Sequence, residues 1–110
     1  MDILEIIKTL VQKGNYALRP HVVTHMMSEG FDESNIIESI ENAKLLENYA
    51  DEGRCLIAGT FRVTMKTREY LHVVVDYWSE TDEMAWVDIV TAYIPHRPWW
   101  QKPYRRGTLK

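Results

Sequence analysis

Residues 70–78 read Tyr-Leu-His-Val-Val-Val-Asp-Tyr-Trp, and the reading of this stretch decides the fold. Branched and aromatic side chains fill it, Gly and Pro are absent, and a charged cluster stands at each end. Such side chains pack well on a pleated, half-buried surface, so the stretch reads as a central strand. Alternation at period two puts Leu71, Val73, Val75 and Tyr77 on one face and Tyr70, His72, Val74, Asp76 and Trp78 on the other. The first row suits a core. The second holds a histidine and a carboxylate that core packing alone does not need, so this strand is expected to serve both the core and any site.

Outward from it, the polar turn at residues 66–69 follows a strand over residues 56–65. There Ile57, Phe61, Val63 and Met65 are expected on one face, with Thr60, Arg62 and Thr64 on the other. Residues 44–49 read as the first strand, closed by the turn Ala50-Asp51-Glu52-Gly53, and residues 84–94 as the last, after a turn at residues 79–83. Short connections favour an antiparallel meander. Further upstream the period becomes helical. Ile3, Ile6, Ile7, Leu10 and Val11 predict an amphipathic helix over residues 2–13, ended by Gly14-Asn15. Residues 16–18 run extended ahead of Arg19-Pro20, and Pro20 opens a second helix over residues 20–29, closed by Gly30. Asp32 caps a third, whose apolar stripe is Ile36, Ile37 and Ile40. The expected fold is α+β: three N-terminal helices, about residues 2–42, packed on one face of a four-stranded antiparallel sheet, about residues 44–94. The opposite face is expected to stay partly open. A basic, aromatic tail follows over residues 95–110, where three prolines exclude a long helix or a central strand.

A chain of 110 residues, 45% hydrophobic and 26% charged, fits one domain with a core of its own. Its apolar runs are of strand length and its N-terminus lacks the basic and apolar regions of a signal peptide, so no membrane span or export is expected. The one cysteine, Cys55, beside Leu56 and Ile57, reads as a buried core thiol and points to a reducing, cytoplasmic home. The net charge of −3 is unevenly spread: residues 1–53 hold ten acids and four bases, residues 54–110 six acids and nine bases. That asymmetry mildly favours a polyanion-binding face.

Three groups of residues carry candidate chemistry. His21 and His25 share one face of the second helix, but Val22 stands where a metalloprotease has its glutamate and no further ligand cluster follows, so no metal and no cofactor is assigned. His72 sits mid-strand among valines; a satisfied sheet-face histidine is the plain reading, and an acid–base group the functional one. Cleaving RNA through its own 2′-hydroxyl needs a base, an acid and cations around the phosphate, and Arg62 could face the same way as His72. Thr91 and Tyr93 share a face of the last strand and could orient a phosphate or simply pair across the sheet. In the tail, Trp99, Trp100 and Tyr104 alternate with Arg97, Lys102, Arg105 and Arg106. Stacking aromatics and cations suit single-stranded nucleic acid, or the tryptophans fold back on the sheet while the cations stay solvated.

Residues 47–106 resemble a small bacterial family known as domain of unknown function 4258. The resemblance lies in Arg54-Cys55-Leu56-Ile57-Ala58-Gly59, Leu71-His72-Val73-Val74 and Ile89-Val90-Thr91-Ala92-Tyr93-Ile94-Pro95, with Trp99 or Trp100 and Arg105-Arg106 at the end. Upstream, His21-Val22, His25-Met26 and Glu29-Gly30-Phe31 occupy the places of the family's helix motif, which extends the resemblance to about Tyr16. The family is similar in proposed fold to the RelE and barnase group of small endoribonucleases and toxins. The resemblance implies His72, His21 and Tyr93 as catalytic residues, RNA as substrate and an antitoxin-like protein as partner. Both arginines of the family's helix are replaced here, by His25 and Glu29, which removes positive charge where a phosphate would want it. The alternative is a non-catalytic module that has kept the fold and binds protein or RNA. A homodimer through a sheet edge or the Trp pair is the remaining partner expectation.

Overall fold

In the computed structural model the described residues are 2–78, 85–95, 100–102 and 105–106, the last two segments by backbone alone. The chain order is α1 (Ile3–Gln12), β1 (Tyr16–Leu18), α2 (Pro20–Glu29), α3 (Glu33–Glu41), β2 (Lys44–Tyr49), a 3₁₀ turn (Ala50–Glu52), β3 (Arg54–Arg62), β4 (Arg68–Trp78) and β5 (Trp86–Tyr93). A separate two-stranded ladder joins β6 (Trp100–Lys102) to β7 (Arg105–Arg106).

The expected sheet was wrong in strand number and in direction. The sheet has five strands in the order β1-β5-β4-β3-β2, and β1 pairs parallel to β5, Tyr16 to Leu18 against Val87 to Ile89. Residues 16–18 are thus a strand between α1 and α2, so helices and strands are not segregated along the chain, and a 3₁₀ turn follows β2. The parallel edge has a physical cause: β1 and β5 are remote in sequence, so no tight hairpin dictates their direction. The antiparallel pairs β2–β3, β3–β4 and β4–β5 follow the expected meander.

Leu71, Val73 and Val75 are buried in one core cluster with Ile7, Leu10, Val22, Ile36, Ile40, Ile57 and Ile89, and Tyr77 packs against it. All three helices contribute to that cluster. Val63 and Met65 lie beyond β3, 58% and 94% exposed, because the strand ends at Arg62. The opposite face is less open than its composition suggests: Leu56, Ala58 and His72 are all buried at its centre.

Local chemistry sets the helix boundaries. Asp32 accepts the Asn35 N–H at 3.0 Å while Asn35 Oδ1 accepts the Asp32 N–H at 2.9 Å, a reciprocal cap that starts α3. The Ser34 hydroxyl, which donates to Asp32 Oδ1 at 2.6 Å, and then the Asn35 N–H hold the Asp32 carboxyl below its ordinary range. Gly30 ends α2 at φ 80°, a left-handed conformation that glycine adopts without strain.

Side chains at and near the end of α3 close the part of β3 that β2 leaves unpaired. Beyond Ala58, β3 has no β2 partner, and Asn42 takes that place: its Nδ2 donates to Thr60 O and its Oδ1 accepts the Thr60 N–H, both at 2.8 Å. Glu38 accepts the Arg62 N–H at 3.0 Å. Unpaired strand edges invite association, and these contacts remove the donors and acceptors that would mediate it. No helix among the described residues is long and apolar enough to cross a membrane.

Candidate functional site

Two polar pairs flank the C-terminal end of β5, the first on the sheet face away from the core cluster and the second on α2, which packs into that cluster through Val22. His72 lies opposite Tyr93 in the β4–β5 register, with Nδ1 3.4 Å from the Tyr93 hydroxyl and ring centroids 5.3 Å apart. The next residue, Ile94, donates its backbone N–H to Glu29 Oε1 at 3.0 Å. The other oxygen of Glu29 stands 2.6 Å from His25 Nδ1. His21, one helical turn earlier, meets the His25 ring edge-on with centroids 4.8 Å apart. Spacings of four residues along α2 put all three side chains on one face, and α2 packs along β5 because it follows directly from β1.

Accessibility separates the two pairs. His72 is fully buried, whereas the His25 side chain is 31% exposed and His21 is exposed. A proton can therefore pass between His25 or His21 and a bound molecule, while His72 is placed to hold the Tyr93 hydroxyl. Thr91 lies on the same strand face as Tyr93, opposite Val74, and its buried Oγ1 has no hydrogen-bond partner among the described residues. A buried hydroxyl without a partner costs stability, so Thr91→Val is expected to stabilise the fold by about 1 kcal/mol. Urea unfolding of the variant checks this, and a loss of stability would show that the hydroxyl is bonded after all.

The sheet face that carries His72 also holds an ion ladder. Arg54 grips Asp76 with two bonds of 2.6 and 3.1 Å, and Arg19 grips Asp88 at 2.7 and 3.0 Å. Asp76 and Asp88 are paired across β4 and β5, and Arg19 also approaches Asp76 at 3.6 Å. Trp86 Nε1 donates to the remaining oxygen of Asp88 at 3.1 Å. The Arg54 guanidinium is held above its ordinary pKa chiefly by its hydrogen bonds to Asp76. These arginines are engaged by carboxylates and are poor candidates for a phosphate.

The other expected residues fall as follows. Arg62 is exposed at the end of β3, four residues beyond Ala58, which faces His72 across the ladder. At strand spacing that is roughly 14 Å along the sheet, so the two do not form a pair. Arg97 and Trp99 lie outside the described residues. For Trp100, Lys102, Arg105 and Arg106 the backbone pairs Trp100 with Arg106 and Lys102 with Arg105. Cys55 is buried in the core, and burial, with Asp76 adding to it, pushes its thiol up to about 12, which leaves it inert as a nucleophile. A shallow concavity of about 500 Å³ along α3 is lined by Glu33, Ser34, Ile37, Glu38 and Glu41, an acidic lining that repels phosphate. Among the described residues no three His, Cys, Asp or Glu side chains group to hold a metal ion.

Sequence reasoning weighed His25 as a metal-spaced neighbour of His21 and, with Glu29, as a replaced arginine, and it missed the contact between the two. The available signal was their separation of four residues on a helix already assigned. It also missed the ion ladder, whose members meet only once the strand register is known.

No curated protein and no solved structure matches the chain. Residues 18–94, from the last residue of β1 to the residue after β5, match the family described as Domain of unknown function (DUF4258), and with well over half of its length matched the chain belongs to that family.

Proposed function

We propose that this domain binds RNA at the C-terminal end of β5 and cuts it without a metal ion, as small endoribonucleases of the RelE and barnase kind do. The observation that carries the reading is the 2.6 Å contact between Glu29 and a partly exposed His25, with His21 beside it. A histidine whose Nδ1 is held by a carboxylate presents Nε2 as a base. In this scheme His25 removes the proton of a ribose 2′-hydroxyl, whose oxygen attacks the adjacent phosphorus. The bond to the 5′-oxygen breaks, and His21 protonates the leaving oxygen. The products are a 2′,3′-cyclic phosphate and a 5′-hydroxyl. His72 supports Tyr93, and Arg97, Lys102, Arg105 and Arg106 supply the cations, with Trp99 and Trp100 stacking on bases. A protein partner covering this end would hold such an activity in check.

The test is cleavage of single-stranded RNA by the purified chain in EDTA, with His21→Ala and His25→Ala variants of matched stability. Loss of a proton-transfer group is expected to slow cleavage at least about 100-fold in each variant. Cleavage that survives both substitutions, or that requires added magnesium, contradicts the assignment. A second reading, a binding module without catalysis, is favoured by the complete burial of His72 and by the pairing of Arg19 and Arg54 with carboxylates. RNA binding without cleavage would select it.

A further inference from the structure

We infer that Glu29 is a positioning residue that fixes the tautomer of His25 and, through the same carboxylate, ties that histidine to the end of β5. The inference rests on the acid–base role proposed above for His25, and its physical part can be tested apart from it.

The two oxygens of Glu29 have separate partners. Oε1 accepts the backbone N–H of Ile94 at 3.0 Å, and Oε2 lies 2.6 Å from His25 Nδ1. An ionised carboxylate only accepts hydrogen bonds, so the proton in the second contact belongs to the histidine. Neutral His25 is thereby held with hydrogen on Nδ1 and its lone pair on Nε2, the reverse of the tautomer that free histidine favours in water. Neither oxygen is loosely placed. The Glu29 side chain is 19% exposed, and its first contact is to the backbone just past the end of β5, which is paired on both sides. Second partners of this kind orient a functional imidazole and set which nitrogen is basic.

The geometry also couples two places. Ile94 follows Tyr93, whose hydroxyl is the partner of His72. A displacement of the end of β5 moves Ile94 N and with it the carboxylate that holds His25.

The substitution that separates the roles is Glu29→Gln. A glutamine amide has one oxygen for two donors. If it keeps the Ile94 N–H, its NH₂ faces His25 Nδ1 and reverses the tautomer. Nitrogen-15 and carbon-13 imidazole shifts of the full chain read the tautomer directly, and amide hydrogen exchange at Ile94 reads the other contact. The wild-type chain is expected to show His25 with Nδ1 protonated and Nε2 bare. Glu29→Gln should move it to the Nε2–H form, and Glu29→Ala should do so while speeding Ile94 exchange at least about tenfold, as loss of a hydrogen bond worth about 1.4 kcal/mol would. His25→Ala should leave Ile94 exchange unchanged. A His25 tautomer that is Nε2–H in the wild type, or that is the same in all Glu29 variants, overturns the inference. The catalytic reading has its own failure: wild-type chain that shows the expected tautomer but cleaves no RNA ends the ribonuclease assignment and leaves the positioning contact standing. Where cleavage occurs, Glu29→Gln should lower kcat with little change in KM, and adding it to His25→Ala should cost nothing further.

Discussion

Gly59→Ala is expected to lose at least about 3 kcal/mol of stability, enough to leave a domain of this size largely unfolded near 37 °C. A Cβ at this position would stand 1.9 Å from the carbonyl oxygen of Ser39 and 2.7 Å from its carbonyl carbon, with Asn42 Oδ1 at 3.0 Å. The obstruction is backbone of α3, not the far end of a flexible side chain, so only a shift of the helix relieves it. That shift would break the Asn42 and Glu38 contacts that close the edge of β3. Gly59 therefore sets how closely α3 approaches the sheet, and through that approach the positions of Ile36 and Ile40 in the core. Urea unfolding followed by far-ultraviolet circular dichroism measures the effect, and a loss under 1 kcal/mol would mean that α3 packs further from β3 than described here.

Arg19→Ala comes next, with an expected loss of about 2 kcal/mol at low salt. Asp76 and Asp88 face one another across β4 and β5, and like charges directly opposite repel. Arg19 lies between them, 2.7 Å from Asp88 and 3.6 Å from Asp76, and among the described arginines its removal leaves only Arg54 to oppose that repulsion. The guanidinium is nearly half exposed, which keeps the figure below that of a fully buried pair. Two features distinguish this cause from lost packing. Adding Asp88→Asn to Arg19→Ala should recover roughly 1 kcal/mol, since it removes the charge left without its partner. High salt should narrow the gap between variant and parent, because it screens the repulsion. Equal losses at low and high salt, with no recovery in the double variant, would remove the ladder from the account.

The parts of this fold that could be read in the sequence are those with several residues at one period. Residues 70–78 alternate cleanly, and the core row Leu71, Val73 and Val75 lies where alternation puts it. The helix ends were equally legible, since Asp32 and Gly30 act through chemistry within a few residues of themselves. Residues 16–18 are too few to display a period, and the parallel partner of that strand is about seventy residues away. Its pairing follows from the completed sheet and not from local pattern. Val63 and Met65 continue the alternation of β3 past the point where the chain turns, so pattern alone carried the strand too far.

The site divides in the same way. The register of β4 and β5 brings His72 and Tyr93 together, as two residues marked by chemistry on neighbouring strands. Composition could not reveal that Leu56, Ala58 and His72 would be buried on the face away from the core cluster. Nor could it reveal that Glu29 would turn one oxygen to Ile94, because that contact spans sixty-five positions and depends on α2 lying along β5. What looked like the loss of two arginines is a histidine–carboxylate pair anchored to the sheet.

The most direct test of the central claim is an amide and side-chain chemical-shift titration of the full chain with a short 2′-O-methyl RNA, which can bind and cannot be cut through its 2′-oxygen. The account predicts saturable shifts concentrated on His21, His25, Glu29 and residues 91–95, weakened by salt as phosphate contacts require. Shifts confined to the concavity along α3 or to the Arg19–Arg54 ladder, or no shifts at any RNA concentration, would contradict an RNA site at the end of β5.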